Sequence, residues 1–437
     1  MTSLEELYNS NEHLEMRNKV ASYFTPSLDE RKKNGEVSTP VQLVDDMLSK
    51  VPSDFWMTPK KVFEPCCGKG NFILGIFEMF YKGLENTIPD EEERSRVIIE
   101  ECIYYSDIEE KNVFINSELL KFHSKIPNKM YKFNSNIGNT LELDIKEKWG
   151  LENFDLVVGN PPYNIPYSIG TGNLLWHLFT REALKSWTKE NGYLCFVHPP
   201  LWRKPQSPRQ VCKGFFDMMT KENKMIYLEI HTKEDGEKVF GAGTRYDWYI
   251  IQKTKPEIGY KIEIKTQDGD VEYLQVHNWC FIPNNNFRLA EKLLAKEGEE
   301  KCSVLDTNRV DFTGGFKEYE EQTEEYRYPV IHSTAKRSTR VYYTNTKDKG
   351  CFGIPKIIFG RTGLYNVIID MDGEFGVSRN TAGIITDDPI EAKKMAEFLL
   401  KPAFTKLART TFLWSLYGLD FNLFKYFKKD FYNQEIN

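Results

Sequence analysis

The stretch Phe154-Asp-Leu-Val-Val-Gly-Asn-Pro-Pro-Tyr163 constrains the fold more than any other. Phe154 to Val158 is an apolar run broken only by Asp155 and reads as a buried strand. Pro161 and Pro162 end it, because proline has a fixed φ and no N–H to give a sheet. The residue before each proline is pushed to extended geometry. The strand therefore runs into a stiff corner from which the amide of Asn160 and the ring of Tyr163 project. Such a corner suits an exocyclic aromatic amine. The Asn160 oxygen and the Pro161 carbonyl can accept both N–H bonds of an –NH₂ group, drawing its lone pair out of conjugation and toward an electrophile. Tyr163 can stack on the ring that carries the amine. The bland alternative is a rigid turn with a core-facing tyrosine, and the strand in front of it disfavours that alternative.

The second signal is Lys61-Val-Phe-Glu-Pro-Cys-Cys-Gly-Lys-Gly-Asn-Phe-Ile-Leu-Gly75. A short strand leads through Glu64 and Pro65, then Cys66 and Cys67, to Gly68-x-Gly70 and an apolar helix from about Asn71. Glycines at a strand-to-helix turn let the backbone approach a ligand closely. The third glycine of a dinucleotide fingerprint is missing, as is the Gly-Lys-Ser/Thr end of a phosphate loop. A cofactor without phosphates suits the acidic Glu64. After a polar insertion at Gly83–Glu93, Glu101–Ile108 reads as the next strand, with Asp107 at its carboxyl end. A carboxylate there can accept both ribose hydroxyls of a nucleoside, with Ile108 packing on the base. A third candidate strand edge lies in Lys132–Leu141. Further along, Gly192–Pro200, Met225–His231 and Tyr246–Gln252 read as strands. Ahead of all these, Thr39 and Pro40 predict a helix start, with a hydroxyl N-cap and proline at the first helical position. Val41, Leu43, Val44, Met47 and Leu48 give that helix an apolar face.

The Asn160-Pro161-Pro162-Tyr163 stretch resembles motif IV of the amino-methyltransferases that use S-adenosyl-L-methionine. This form is typical of adenine-amino DNA methyltransferases and occurs also in enzymes acting on glutamine side chains and some RNA bases. Glu64-Pro-x-x-Gly-x-Gly70 resembles motif I, and Gly35-Glu-x-x-Thr-Pro-x-x-Leu-Val-x-x-Met-Leu48 resembles motif X. The resemblance covers roughly residues 33–255. It implies that Thr39, Pro40, Glu64, Pro65, Cys66, Gly68 and Gly70 line the methionine end of the cofactor, and that Asp107 and Ile108 hold its ribose and adenine. Asn139 stands where the family has a polar residue for the cofactor's adenine, with Asp144 as a weaker substitute. Asn160 completes the cofactor pocket. Ser38 replaces the aromatic that usually precedes Thr-Pro. The order of motifs resembles the gamma arrangement, with target recognition at the C-terminus.

The expected fold is α/β, a doubly wound, mostly parallel seven-stranded methyltransferase sheet with a C-terminal mixed α+β target-recognition domain. Residues 1–31 are expected to lead as a helical segment, the catalytic domain to end near Lys255, and residues 256–437 to bind DNA. The expected reaction is methyl transfer to the amino group of adenine flipped out of a specific duplex DNA sequence. The alternative is an enzyme of the same fold acting on RNA adenine or on protein glutamine. A loop at 164–173 would close over the base, and Phe196, His198 or Trp202 would flank its pocket. His177 reads as structural, and no metal is expected.

The chain carries −6 overall, but residues 331–437 hold 16 basic and 11 acidic side chains. There Lys336, Arg337, Arg340, Lys356, Arg361 and Arg379 lie among Tyr342, Tyr343, Phe359 and Tyr365, a mix suited to phosphate contacts and base-edge readout. Arg203, Lys204 and Arg209 form a smaller basic loop after the fifth strand. The resemblance leaves open a separate cognate restriction endonuclease as partner. The eight cysteines form no Cys-x-x-Cys pair, and no apolar run reaches bilayer length. Those features set the expectation of a reducing, cytoplasmic setting and no membrane.

Overall fold

The computed structural model describes residues 37–436, apart from 125, 127–128, 166–173, 206–210, 277–278, 306–307, 313–318, 337, 362 and 413–419. The expected leading helix, most of the 164–173 loop, Arg209 and Arg337 lie outside the described residues. The chain divides into two compact units. Unit 1 takes residues within 1–200 and 211–277, and unit 2 those within 201–210 and 278–437.

Unit 1 runs α1 (Val41–Ser49), β1 (Val62–Glu64), α2 (Asn71–Gly83), α3 (Glu91–Val97), β2 (Ile103–Asp107), α4 (Glu110–His123), β3 (Asn134–Ile137), α5 (Ile145–Trp149), β4 (Phe154–Gly159), α6 (Trp176–Glu182), β5 (Thr188–His198), β6 (Lys224–Ile230), α7 (Lys233–Phe240), β7 (Asp247–Gln252), β8 (Ile262–Lys265) and β9 (Val271–Leu274). One nine-stranded sheet joins them in the order β3-β2-β1-β4-β5-β7-β6-β8-β9. β1 pairs in parallel with both β2 and β4, so the order reverses at the carboxyl ends of β1 and β4. Ligands of doubly wound folds bind at such a reversal. Both faces of the sheet are covered. Val62, Leu156 and Val158 pack into a core with Val44, Met47, Ile73 and Phe77 of α1 and α2. Phe63, which alternates with Val62, stacks on Phe154 at 4.7 Å and meets Trp187 edge-on at 5.4 Å.

Three expectations are corrected here. The sheet has nine strands, not seven, because β8 pairs in parallel with β6 and β9 folds back antiparallel on β8. For the same reason unit 1 reaches residue 277, beyond the expected boundary at Lys255. The N-cap of α1 is Pro40, without a side-chain cap bond, so the Thr39 hydroxyl is left for another partner.

Unit 2 holds α8 (Phe287–Leu293), β10 (Tyr328–Thr334), β11 (Thr339–Thr344), β12 (Lys356–Gly360), β13 (Gly363–Asp370), β14 (Gly376–Val377), β15 (Thr381–Ile385), α9 (Pro389–Leu400) and α10 (Pro402–Thr411). Two three-stranded sheets, β11-β10-β14 and β13-β12-β15, share a small core of Leu305, Ile331, Ile358 and Val377. Pro402 separates α9 from α10: Lys401, ahead of it, takes an extended ψ of 128°. Lys356 is wholly buried and pairs with Asp370 at 2.6 Å, so it is a structural cation and not a phosphate contact. Asp370 also accepts from the amides of Glu374 and Phe375, which ties the turn after β13 to the pair. Lys356→Met leaves that carboxylate buried and uncompensated, and is expected to cost about 3–5 kcal/mol. Urea unfolding followed by a probe in unit 2 measures the loss, and a change below 1 kcal/mol would contradict the role assigned to the pair.

Candidate active site

The site gathers where β1, β2 and β4 end. Its anchor is Asp107, last residue of β2. Its Oδ2 accepts the Gly68 amide at 2.8 Å, and its Oδ1 accepts the Glu109 amide at 2.9 Å and the Asn112 side chain at 3.2 Å. An ionised carboxylate has about four acceptor positions, so one remains for a ligand hydroxyl. Lys69, between the two glycines, donates to Asn112 Oδ1 at 2.9 Å. Asn116, one helical turn beyond Asn112, donates to the Gly68 carbonyl at 2.9 Å. Gly70 has φ of +95°, and a Cβ there would lie 2.6 Å from Asn116 Oδ1, so glycine is required by both backbone and space. Thr140 donates to the Pro65 carbonyl at 2.7 Å and closes the turn from the side of β3.

The end of β4 meets the Thr39 segment. Asn160 donates its amide nitrogen to the Thr39 hydroxyl at 3.1 Å. Asn71 holds that segment in place, donating to the Thr39 carbonyl at 2.7 Å and to the Ser38 hydroxyl at 3.1 Å. Where an aromatic was the expected neighbour, Ser38 therefore contributes a hydrogen bond. Gly159 lets β4 pass close to Glu64, because a Cβ there would stand 3.3–3.4 Å from the glutamate side chain.

Among the described residues of this region, four buried polar atoms lack a hydrogen-bond partner: Glu64 Oε2, Asn116 Oδ1, Asn160 Oδ1 and Tyr163 Oη. A buried polar atom without a partner costs roughly 1–3 kcal/mol and calls for a ligand or a function. Burial, and then the charge of Asp107, push the Glu64 carboxyl well above the ordinary range. Burial also raises Asp107, against which the Glu109 and Gly68 amides, Asn112 and Lys69 act. Two large apolar side chains flank Asp107 in the open: Ile108 is 65 % exposed, and Ile137, its neighbour at the end of β3, is 52 % exposed. Asn139 is exposed and turned to its own loop, accepting from Leu141 and donating to Glu142. Cys66 is half-buried, and burial raises its thiol.

The aromatics named as candidates to flank the pocket expose no surface. Phe196, His198 and Trp202 are all fully buried. His198 stacks on Trp176 at 4.0 Å, and its Nδ1 lies 3.0 Å from the Pro199 carbonyl. That carbonyl can only accept, so Nδ1 carries the proton and Nε2 accepts from Tyr249 at 2.8 Å. Burial lowers the His198 pKa to about 3.

Within unit 2 the basic candidates part company. Arg203 is fully buried and clamps the Ile282 and Pro283 carbonyls and Asn284, so its place in DNA contact is withdrawn. Lys204 pairs with Asp420 at 3.3 Å. Arg361 donates to the Arg379 carbonyl, and Arg379, 69 % exposed, pairs with Asp311. Lys336 and Arg340 are exposed.

Sequence reasoning gave no role at the site to Lys69, Asn71, Asn112, Asn116, Ile137 or Thr140. For the first asparagine pair on α4 a signal existed: Asn112 and Asn116 fall four apart on the stripe shared by Val113 and Leu120. Polar residues on a buried face need partners.

The family model of the N-6 DNA methylases matches residues 20–197. That match covers less than half of the chain, and over it the chain is similar to the N-6 DNA methylases. Among solved structures, likeness of fold extends beyond that span. The type IIL restriction-modification enzyme MmeI, solved in complex with DNA, aligns with 94% of this chain and 70% of its own, at 12% identity and a TM-score of 0.51. A nuclease-deletion mutant of the type ISP enzyme LlaGI, solved with a DNA substrate mimic, aligns with 85% of this chain and 44% of its own, at 12% identity and a TM-score of 0.52. At this identity the likeness is one of fold. A modification subunit assigned to a type I restriction enzyme of Vibrio vulnificus YJ016 aligns with 61% of this chain at 16% identity and a TM-score of 0.43. The chain spans about half, 53%, of that subunit's length. No curated protein matches the chain by sequence. Among the described residues no helix is long and apolar enough to cross a membrane.

Two outcomes follow from the geometry. The Tyr163 hydroxyl has no partner, so Tyr163→Phe is expected to keep stability within about 1 kcal/mol or raise it, whereas Tyr163→Ala removes the ring; thermal unfolding of both checks this. His198 is neutral when folded and titrates normally when unfolded. Stability is therefore unaffected above pH 6.5 and falls by about 1.4 kcal/mol per pH unit below it, down to about pH 3. Unfolding measured from pH 7 to 4 reads that slope, and His198→Gln, which does not titrate, loses its share of it.

Proposed function

We propose that the chain transfers a methyl group from S-adenosyl-L-methionine to the exocyclic amino group of adenine in duplex DNA, with the base flipped into the Asn160–Tyr163 corner. The reading rests on one observation. Asn160 spends its amide nitrogen on Thr39, while its buried Oδ1 has no partner. A fixed acceptor of this kind needs an N–H donor, and an aromatic amine provides one.

The residues fit the cofactor that the family uses. Glu64, with its partnerless oxygen, would hold the methionyl ammonium beside Thr39 and Pro40, and Asp107 would accept a ribose hydroxyl. Ile108 and Ile137, both exposed, would cover the cofactor's adenine. When bound, the cofactor supplies a methyl group already activated on a positive sulfur. Asn160 and the Pro161 carbonyl hold the target amine and hold back its lone pair from the ring. Tyr163 stacks on the flipped base, whose extraction costs a few kcal/mol. Holding the amine and excluding water account for most of the rate, as orientation and fixed dipoles do elsewhere. Unit 2 would contact the DNA through its exposed cations, Lys336, Arg340 and Arg379, with sequence read from base edges nearby. Relatives of similar fold solved with DNA support that substrate.

The test is methyl transfer from labelled S-adenosyl-L-methionine to unmethylated genomic duplex DNA, followed by nucleoside analysis. Label is expected on the adenine amino group. Asn160→Ala is expected to lower turnover by about 10²–10³-fold while cofactor still binds. Label on RNA or protein instead would move the substrate, and near-normal turnover of Asn160→Ala would remove the role given to that residue.

A further inference from the structure

The cofactor pocket holds two carboxylates in one buried place. Glu64 is 2 % exposed and Asp107 is 8 % exposed. The charge of each disfavours ionisation of the other, as the rise of Glu64 beside Asp107 records. Their surroundings are unequal. Asp107 receives two backbone amides and the Asn112 side chain, and it faces Lys69. Glu64 faces the Cys66 and Cys67 thiols, Gly159 and Asp107, and its Oε2 has no donor at all. Among the described residues, the charge that acts on it is the Asp107 carboxylate. The Lys69 ammonium, 8 % exposed, donates to Asn112 Oδ1, and the same amide donates to Asp107 through Nδ2. A charge at one end of such a chain strengthens the hydrogen bond at the other.

We propose that Lys69 and Asn112 are positioning residues that keep Asp107 the anion of these two carboxylates, so that Glu64 is the one protonated in the free protein and releases its proton to solvent when the ligand's ammonium arrives. The inference rests on the cofactor reading above and adds the charge state of the pocket. It makes cofactor binding a proton-releasing event. Binding then strengthens as pH rises, by up to about tenfold per pH unit while Glu64 is protonated in the free protein. Lys69 acts through Asn112 on Asp107 and touches no reacting atom. Without it, Asp107 loses the Lys69 charge that favours its ionised form, and binding must displace protons from both carboxylates.

The experiment is calorimetry of S-adenosyl-L-methionine binding to the full chain between pH 6 and 7, in buffers of different ionisation enthalpy. The wild type is expected to release close to one proton per cofactor bound. Glu64→Gln is expected to bind with no proton release and with affinity flat in pH. Lys69→Met is expected to bind at least about tenfold more weakly at pH 6 and to release more than one proton. Asn112→Leu is expected to shift the proton count in the same direction. A merely structural role for Lys69 would lower the melting temperature and leave the proton count alone, and that result overturns the inference. So does wild-type binding without proton release, which needs no variant to fold. Absence of any cofactor binding by the wild type overturns the cofactor reading itself, and this inference with it.

Discussion

The arrangement of the site depends on the carboxylate at the end of β2. Asp107 takes the Gly68 amide on one oxygen and the Glu109 amide on the other, and so joins the glycine turn after β1 to the start of α4. Burying a carboxylate is costly unless it is paired and hydrogen-bonded. The chain meets that demand with Asn112, which is held in turn by Lys69 from the same glycine turn. The closed loop of bonds explains why a lysine stands between two glycines: its ammonium compensates the carboxylate that fixes the Gly68 amide.

A second junction sets the chemistry. Asn160 follows β4, and Thr39 precedes α1, 121 positions earlier in the chain. Their hydrogen bond orients the amide so that its oxygen is the acceptor left over. Asn71 holds Thr39 by its carbonyl, and Asn71 itself opens α2 directly after Gly70. The two junctions are therefore linked through the glycine turn. A disturbance at Gly70 would reach both Asp107 and Asn160.

The C-terminal unit follows a different economy. Its two small sheets have a modest apolar core, supplemented by the buried Lys356–Asp370 pair and the Arg203 clamp. Cations that look alike in sequence therefore divide between interior and surface. Arg203 and Lys356 satisfy carbonyls and a carboxylate inside, while Lys336, Arg340 and Arg379 carry charge outside.

Strand and motif positions were legible in the amino-acid order because they rest on local rules. An apolar run before two prolines must end a strand, and a glycine pair after a short strand must turn. Thus β1, β2 and β4, Gly68 and Gly70, and the Asn160 corner could be placed from sequence. Tertiary pairing alone decided three other matters. It added β8 and β9 to the sheet, since an edge accepts further strands whose own pattern does not say which sheet they join. It sent Phe196, His198 and Trp202 inward, since an aromatic's place depends on what packs beside it. And it chose which polar atoms were satisfied, because a side chain's partner can lie a hundred residues away, as Thr39 does from Asn160.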